Sequence, residues 1–356
     1  MEVKDIKRRK TRPVHVGSVK IGDDAPVIVQ SMTCTDTRDI ESTVAQIKRL
    51  EDAGCEIVRV AVPDHEAAEA LSSIKKSISI PLIADIHFKY QLAIEAIERG
   101  ADCIRINPGN TRRDRIKDVI GAAKDRDVSI RIGVNAGSLE KDIMEKHGGP
   151  SAAALVESAL RNIAFFEDLD FTAIKLSLKS SDVLTMIEAY RQISELTDYP
   201  LHLGVTEAGT IVNSAIKSSI GLGILLHEGI GDTIRVSISG DPVSEVSVAF
   251  GILRALGIRM RGPDIISCPT CGRCEIDLIG LSEEVERRLA GMKSYLKIAL
   301  MGCVVNGPGE AADADIGIAG GRKTGLLFKK GKVERKIKEE EFVDVLLKEI
   351  RTMIDE

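Results

Sequence analysis

The chain has 356 residues, 44% of them hydrophobic and 29% charged, the profile of an ordinary soluble protein with enough apolar material for a full core. A net charge of −5 gives no electrostatic reason to expect nucleic acid or an anionic membrane as partner. The opening Met1-Glu2-Val3-Lys4-Asp5-Ile6-Lys7 reads as neither signal peptide nor anchor, and no stretch reaches the roughly 18 apolar residues of a membrane span, so a cytoplasmic protein is expected.

From residue 26 to residue 260 a short β-branched run alternates eight times with a longer segment of helical periodicity. The predicted strands are Pro26–Thr33, Ile57–Val62, Pro81–Phe88, Cys103–Asn110, Ser129–Asn135, Ala173–Lys179, Pro200–Gly209 and Thr233–Gly240. Their Val and Ile content fits parallel strands buried on both faces. Between them, segments such as Asp39–Ala53, Arg112–Arg126, Ser151–Asp168 and Pro242–Leu256 repeat apolar residues at three-to-four spacing. Gly54 and Gly100 stand where C-caps belong, Ser151 and Ser180 where N-caps belong. Eight such units match the size of a (β/α)8 TIM barrel. An open doubly wound sheet competes, but no Gly-x-Gly-x-x-Gly turn supports it.

The strands share a pattern of a cation, an aliphatic and a small or amide residue. It recurs as Arg59-Val60-Ala61, Arg105-Ile106-Asn107, Arg131-Ile132-Gly133, Lys175-Leu176-Ser177 and Arg235-Val236-Ser237. Asp85-Ile86-His87 and His202-Leu203-Gly204 put other titratable groups in the same slot. In a barrel this predicts a ring of charge at one level, toward the C-terminal strand ends where barrel active sites lie. One Asp cannot neutralise five cations, and an unpaired buried ion costs several kcal/mol. The balance of negative charge therefore comes from a ligand, and Arg favours phosphate or diphosphate. Glu207, in a glycine-flanked turn after the seventh strand, is a candidate general acid or base.

After Gly257 the alternation stops, which divides the chain into 1–260 and 261–356. Seven cysteines in a cytoplasmic chain point to ligand or redox chemistry rather than disulfides. Cys55 and Cys103 read as small buried side chains, and Cys34 sits in a polar loop. The late region holds Cys268-Pro269-Thr270-Cys271-Gly272-Arg273-Cys274 and, farther on, Gly302-Cys303-Val304-Val305-Asn306-Gly307-Pro308-Gly309-Glu310. A four-cysteine zinc site including Cys274 is one reading. An iron–sulfur cluster on Cys268, Cys271 and Cys303 is the other, with glycine-rich loops offering amides to sulfide. Glu310 is then a hard, weakly held fourth ligand that leaves one iron able to exchange it. The tail reads as a strand over 315–321, a hairpin over 325–333 and an amphipathic helix over 339–354, a small α/β domain.

These residues carry a resemblance over essentially the whole chain. Val29-Gln30-Ser31-Met32-Thr33, Ala84-Asp85-Ile86-His87-Phe88, Arg105-Ile106-Asn107-Pro108-Gly109-Asn110, Gly204-Val205-Thr206-Glu207-Ala208-Gly209 and the two cysteine motifs resemble the 4-hydroxy-3-methylbut-2-enyl diphosphate synthase family in its two-domain bacterial form. The resemblance implies reductive ring opening and dehydroxylation of 2-C-methyl-D-erythritol 2,4-cyclodiphosphate, with two electrons from flavodoxin or ferredoxin. It implies a [4Fe–4S] cluster on Cys268, Cys271, Cys303 and Glu310, with Glu310 giving way to a substrate oxygen and Glu207 donating a proton. It places the diphosphate on Arg59, Arg105, Arg131, Lys175 and Arg235, near His87, Asn107, Asn135, Ser237 and Ser239. It also implies a head-to-tail homodimer. Cys34 departs from the family pattern, where Asn is expected.

Overall fold

The structure is a computed structural model that describes residues 6–87, 89–107, 113–303 and 311–355. It divides into two compact units, Met1–Arg259 and Met260–Glu356. The first opens with a hairpin, β1 (Val14–Val16) and β2 (Val19–Ile21), which the sequence reading did not anticipate. Eight parallel strands follow: β3 (Ile28–Met32), β4 (Ile57–Ala61), β5 (Leu82–Asp85), β6 (Cys103–Ile106), β7 (Ser129–Asn135), β8 (Ile174–Lys179), β9 (His202–Leu203) and β10 (Thr233–Ile234). They hydrogen-bond in chain order, β10 pairs with β3, and a bridge from Leu176 to Leu201 joins β8 to β9. This is a closed TIM barrel.

The connecting helices are α1 (Ile40–Ala53), α2 (His65–Ser77), α3 (Tyr90–Glu98), α4 (Arg113–Asp125), α5 (Lys141–His147), α6 (Ala152–Glu167), α7 (Val183–Leu196), α8 (Ile211–His227) and α9 (Val243–Ala255). Asp39 begins α1 by accepting from the Ser42 amide, and Gly54 ends it at φ 102°. Ser151 caps α6 as expected, but Asp182 rather than Ser180 caps α7, since the helix starts at Val183 and the Asp182 carboxylate accepts from the Thr185 amide. The Ser180 hydroxyl instead accepts from the Asp182 amide at 3.1 Å.

Alternation along each strand sends one set of side chains outward under the helices and the other into the barrel. The outward set forms the main apolar core. At the N-terminal end the inward residues Ile28, Ile57, Ile83 and Cys103 pack on Val16 and Ile21 of the hairpin, closing the barrel floor. Cys55 and Cys103 are buried, and burial pushes the Cys55 thiol up to about 12, so it stays protonated.

The second unit is a five-stranded sheet in the order β11 (Pro263–Ser267), β12 (Leu296–Met301), β13 (Ile316–Gly321), β14 (Thr324–Lys329) and β15 (Lys332–Lys338). The first three strands are parallel and the last two antiparallel. Helices α10 (Leu278–Arg288) and α11 (Phe342–Asp355) cover one face through Leu281, Val285, Leu346 and Ile350, packed on Ile298, Leu300 and Ile318.

Candidate active site and thiol cluster

The predicted strands overran the ladders. The seventh and eighth shrink to two residues each, because Gly204–Gly209 and Arg235–Gly240 leave the sheet to form loops at the C-terminal mouth. The cations still point inward. Asp85, Arg105, Arg131 and Lys175 are consecutive register partners across β5, β6, β7 and β8. Arg59 is one step out of that row, opposite Ile83 and Met32, so the cations step with the strands rather than lying in one flat ring.

A cavity of about 190 Å³ opens among Arg59, Asp85, His87, Arg105, Arg131, Asn135, Ser177, Lys179, Thr206, Arg235 and Ser237. Asp85 is its acidic hub. It stands 3.4 Å from Arg105, 3.8 Å from Arg59 and 3.4 Å from His87. Burial alone would raise its pKa, but Arg59, the His87 hydrogen bond and Arg105 hold the carboxyl well below the usual range. With the Asn135 amide nitrogen toward the Val134 carbonyl, its oxygen accepts from Arg105 Nη2 at 3.0 Å. Arg59 donates to Met32 Sδ at 3.0 and 3.1 Å.

Other predicted site residues fall elsewhere. Lys175 is fully buried and does not line the cavity. Lys179, four residues on along the same inward face of β8, does line it and was missed by the sequence reading. Asn107 is buried, with Nδ2 donating to Ser138 Oγ at 2.6 Å, and Ser239 is exposed, its amide held by the Gly209 carbonyl at 3.0 Å. Glu207 is exposed beside Thr206 and has φ 55°, a conformation that strains a non-glycine residue. Its loop is pinned where the Thr206 amide meets the Ser180 carbonyl and the Gly209 carbonyl meets Ser239.

Two inward glycines make room for the cations. A Cβ on Gly133 would stand 2.6 Å from Arg105 Nε, and one on Gly204 would stand 2.7 Å from the Arg235 carbonyl and 2.8 Å from Lys179 Nζ. The Arg235 carbonyl is backbone and cannot swing away. Gly204→Ala is therefore expected to destabilise the barrel by about 1–3 kcal/mol, read as a lower urea midpoint with an unchanged slope. An unaltered midpoint would contradict this packing.

A carboxylate that the sequence reading did not single out is Glu245 of α9. It is buried and accepts from Arg235 Nη2 at 3.0 Å and Nε at 3.2 Å, and from Ser31 Oγ at 2.7 Å. Six inward cations, Arg59, Arg105, Arg131, Lys175, Lys179 and Arg235, thus share two carboxylates among the described residues. Burial, reinforced by Arg131, pushes Lys175 down to about 8; burial and then Arg235 hold Lys179 well below its ordinary value. Arginine does not discharge in this way, so the barrel holds excess positive charge facing the cavity.

In the second unit, the parallel pairing of Ser267 with Leu300 brings the ends of β11 and β12 side by side, so Cys268 and Cys303 emerge at one edge of the sheet. Cys268 Sγ accepts from the Gly302 amide at 3.3 Å, a bond suited to a thiolate ligand. Cys271 is exposed, and its carbonyl accepts from the Cys274 amide. Cys274 instead packs on Gly302 and donates its thiol proton to the Ile276 carbonyl at 3.3 Å. Glu310 lies outside the described residues, as do 304–309.

Four donors about 2.3 Å from one zinc would bring their sulfurs within roughly 4 Å of each other. Among the described residues, the group of three such donors within 4.8 Å of one another is His65, Glu69 and Glu95, and Arg99 already neutralises Glu69 at 3.3 Å.

A TIM barrel with a cationic cavity, joined to an α/β unit bearing cysteines at one sheet edge, defines an anion-handling enzyme with a separate thiol-ligand site. The GcpE TIM-barrel domain matches residues 11–250 and the GcpE protein C-terminal domain matches residues 264–352. The 4-hydroxy-3-methylbut-2-en-1-yl diphosphate synthase (flavodoxin) of Caldanaerobacter subterraneus subsp. tengcongensis is 60% identical over 353 residues, 99% of each chain. That of Thermodesulfovibrio yellowstonii is 58% identical over 347 residues, 97% of this chain and 99% of its own. The barrel also resembles dihydropteroate synthase from Xanthomonas albilineans, with TM-score 0.51 and 15% identity over 70% of this chain and 99% of that one, a likeness of fold alone. The chain belongs to the GcpE family of 4-hydroxy-3-methylbut-2-en-1-yl diphosphate synthases.

Proposed function

We propose that this enzyme opens 2-C-methyl-D-erythritol 2,4-cyclodiphosphate and removes its C3 oxygen as water, giving 4-hydroxy-3-methylbut-2-enyl diphosphate with two electrons from flavodoxin. Full-length identity to synthases named for flavodoxin supports the reaction and the donor over ferredoxin. The observation that carries the substrate class is the excess of buried cations over carboxylates around the barrel cavity. A diphosphate supplies the missing charge and can accept bidentately from Arg59, Arg105, Arg131 and Arg235. Lys179 takes the contact that the sequence assigned to Lys175, with His87, Asn135 and Ser237 at the cavity wall. Asn107 and Ser239 act through the loops they hold.

A [4Fe–4S] cluster on Cys268, Cys271, Cys303 and Glu310 would supply single-electron transfer and a Lewis-acidic iron when bound. The chain's part is to bind the thiolate side through the Gly302 amide, to hold the diphosphate, and to offer the Glu207 carboxyl as proton donor. The enzyme works as a cytoplasmic homodimer in this reading. No described helix is long and apolar enough to cross a membrane, and Ile211, Val212, Ile216 and Ile220 leave an exposed apolar stripe on α8 suited to self-association. The deciding experiment is iron, sulfide and zinc analysis of anaerobically purified protein alongside turnover of the cyclic diphosphate. About four irons per chain with turnover supports the reading; one zinc and no colour overturns it.

The lowered lysines add a pH signature. An anion bound in the cavity favours the charged form of Lys175, which burial and Arg131 bring down to about 8, so binding takes up protons around that pH. Affinity for inorganic diphosphate should therefore fall as pH rises from 7 to 9. Calorimetry in buffers of different ionisation enthalpy measures the uptake, and a pH-independent, buffer-independent heat would refute it.

A further inference from the structure

The loop that carries Ser237 into the cavity follows only two residues of β-ladder, so something other than the sheet must set its shape. Two buried side chains from two helices do this. Glu245, in the first turn of α9, accepts from the Ile238 amide at 3.1 Å. Ser214, in the first turn of α8, donates to the Ser237 carbonyl at 2.8 Å. That amide and that carbonyl belong to the same peptide unit. Its plane is gripped from both ends by groups that are 2% and 0% exposed.

The same Glu245 carboxylate also fixes Arg235 through two donors and takes Ser31 Oγ from β3. One anion thus ties α9 to β3, to the Arg235 guanidinium and to the backbone between Ser237 and Ser239. Its oxygens face four donors, so it is fully satisfied despite burial. Glu245 does not line the cavity, whereas Arg235 and Ser237 both do.

We infer that Glu245 is a positioning residue which, together with Ser214, presents Arg235 and Ser237 as one preset anion-binding edge of the barrel cavity. The inference rests on the reading of that cavity as the diphosphate site. Two-point ionic pairing fixes the guanidinium plane, and the clamped peptide fixes the direction of the Ser237 side chain. A diphosphate then meets an edge whose ordering is already complete before binding. Removing the clamp loosens binding of the anion, while the thiol unit and its electron chemistry remain as they were.

The test uses the anaerobically purified holoenzyme. Glu245→Gln keeps the shape but replaces one acceptor oxygen by a donor facing Arg235 or Ile238. It is expected to raise KM for the cyclic diphosphate about tenfold with kcat within about twofold, and to leave iron content and visible absorption unchanged. Ser214→Ala, which removes only the other grip, should raise KM about threefold, and the double variant should fall short of the product because both hold one peptide unit. A lower melting temperature with unchanged KM would show a merely structural role and overturn the inference. Should Glu245→Gln fail to fold, Ser214→Ala decides alone, and an unchanged KM there overturns it. Arg105→Ala is the control on the underlying reading. If that variant also binds the cyclic diphosphate normally, the cavity is not the diphosphate site; if it binds weakly while the clamp variants bind normally, only the positioning role fails.

Discussion

Cys268→Ser is expected to yield a protein with little iron and reductive turnover at background, yet with its barrel intact. Cys268 follows β11 directly, and its sulfur takes the Gly302 amide from the neighbouring strand end, so the sheet anchors it. A serine hydroxyl is a harder and far less acidic ligand than a thiol and replaces it poorly on cluster iron. Binding of inorganic diphosphate should be unchanged, because the cations sit in the other unit. Iron and sulfide assays, visible absorption and calorimetry separate these effects. Cys274→Ser, by contrast, should keep full iron, since that thiol is a donor to the Ile276 carbonyl. Loss of iron in the Cys274 variant with retention in the Cys268 variant would reverse the ligand assignment.

Glu207→Gln is expected to bind the cyclic diphosphate within a few-fold of normal and to lose on the order of 10²–10⁴ in kcat, the usual contribution of a positioned proton donor. The side chain sits at φ 55° in a loop fixed at both ends, next to Thr206 of the cavity wall. A left-handed backbone at a non-glycine residue is retained only where its surroundings hold it, and such strain gathers at active sites. Glu207→Gly relieves the strain and should raise the melting temperature slightly while abolishing turnover. Single-turnover kinetics with pre-reduced enzyme isolates the proton-dependent step. A kcat that survives Glu207→Gln would assign the proton to another group.

Much of this arrangement is legible in the sequence. Alternation of Val- and Ile-rich runs with amphipathic helices determines a barrel because buried parallel strands and their crossovers have few other solutions. The repeated Arg or Lys triplets located the cavity for the same reason, since every second residue of a strand faces one side. Lys179 escaped because the triplet ended at Ser177, although the same alternation carries one step farther. Glu245 escaped for a different reason: an acid in the first turn of a helix ordinarily answers the helix dipole in solvent, and only the fold turns it onto Arg235. Strand ends were overdrawn wherever the loops of the site begin, since Val205, Thr206, Val236 and Ile238 still read as β-formers after leaving the ladder. The Val14–Ile21 hairpin carries a usable signal, alternating apolar residues around Gly17-Ser18, but it is too short to stand out beside the longer runs.

That hairpin has a consequence for how any ligand enters. Among the described residues, Val16 and Ile21 pack over the lower end of the barrel, and the charged cavity opens toward the loops bearing Glu207 and Ser237. Attraction acts on the anionic end of an incoming molecule first, so a diphosphate travels inward and its carbon skeleton trails behind. In the proposed binding mode the bonds to be broken would lie toward the rim. The closed floor, rather than any group at the mouth, would then set the orientation of the substrate.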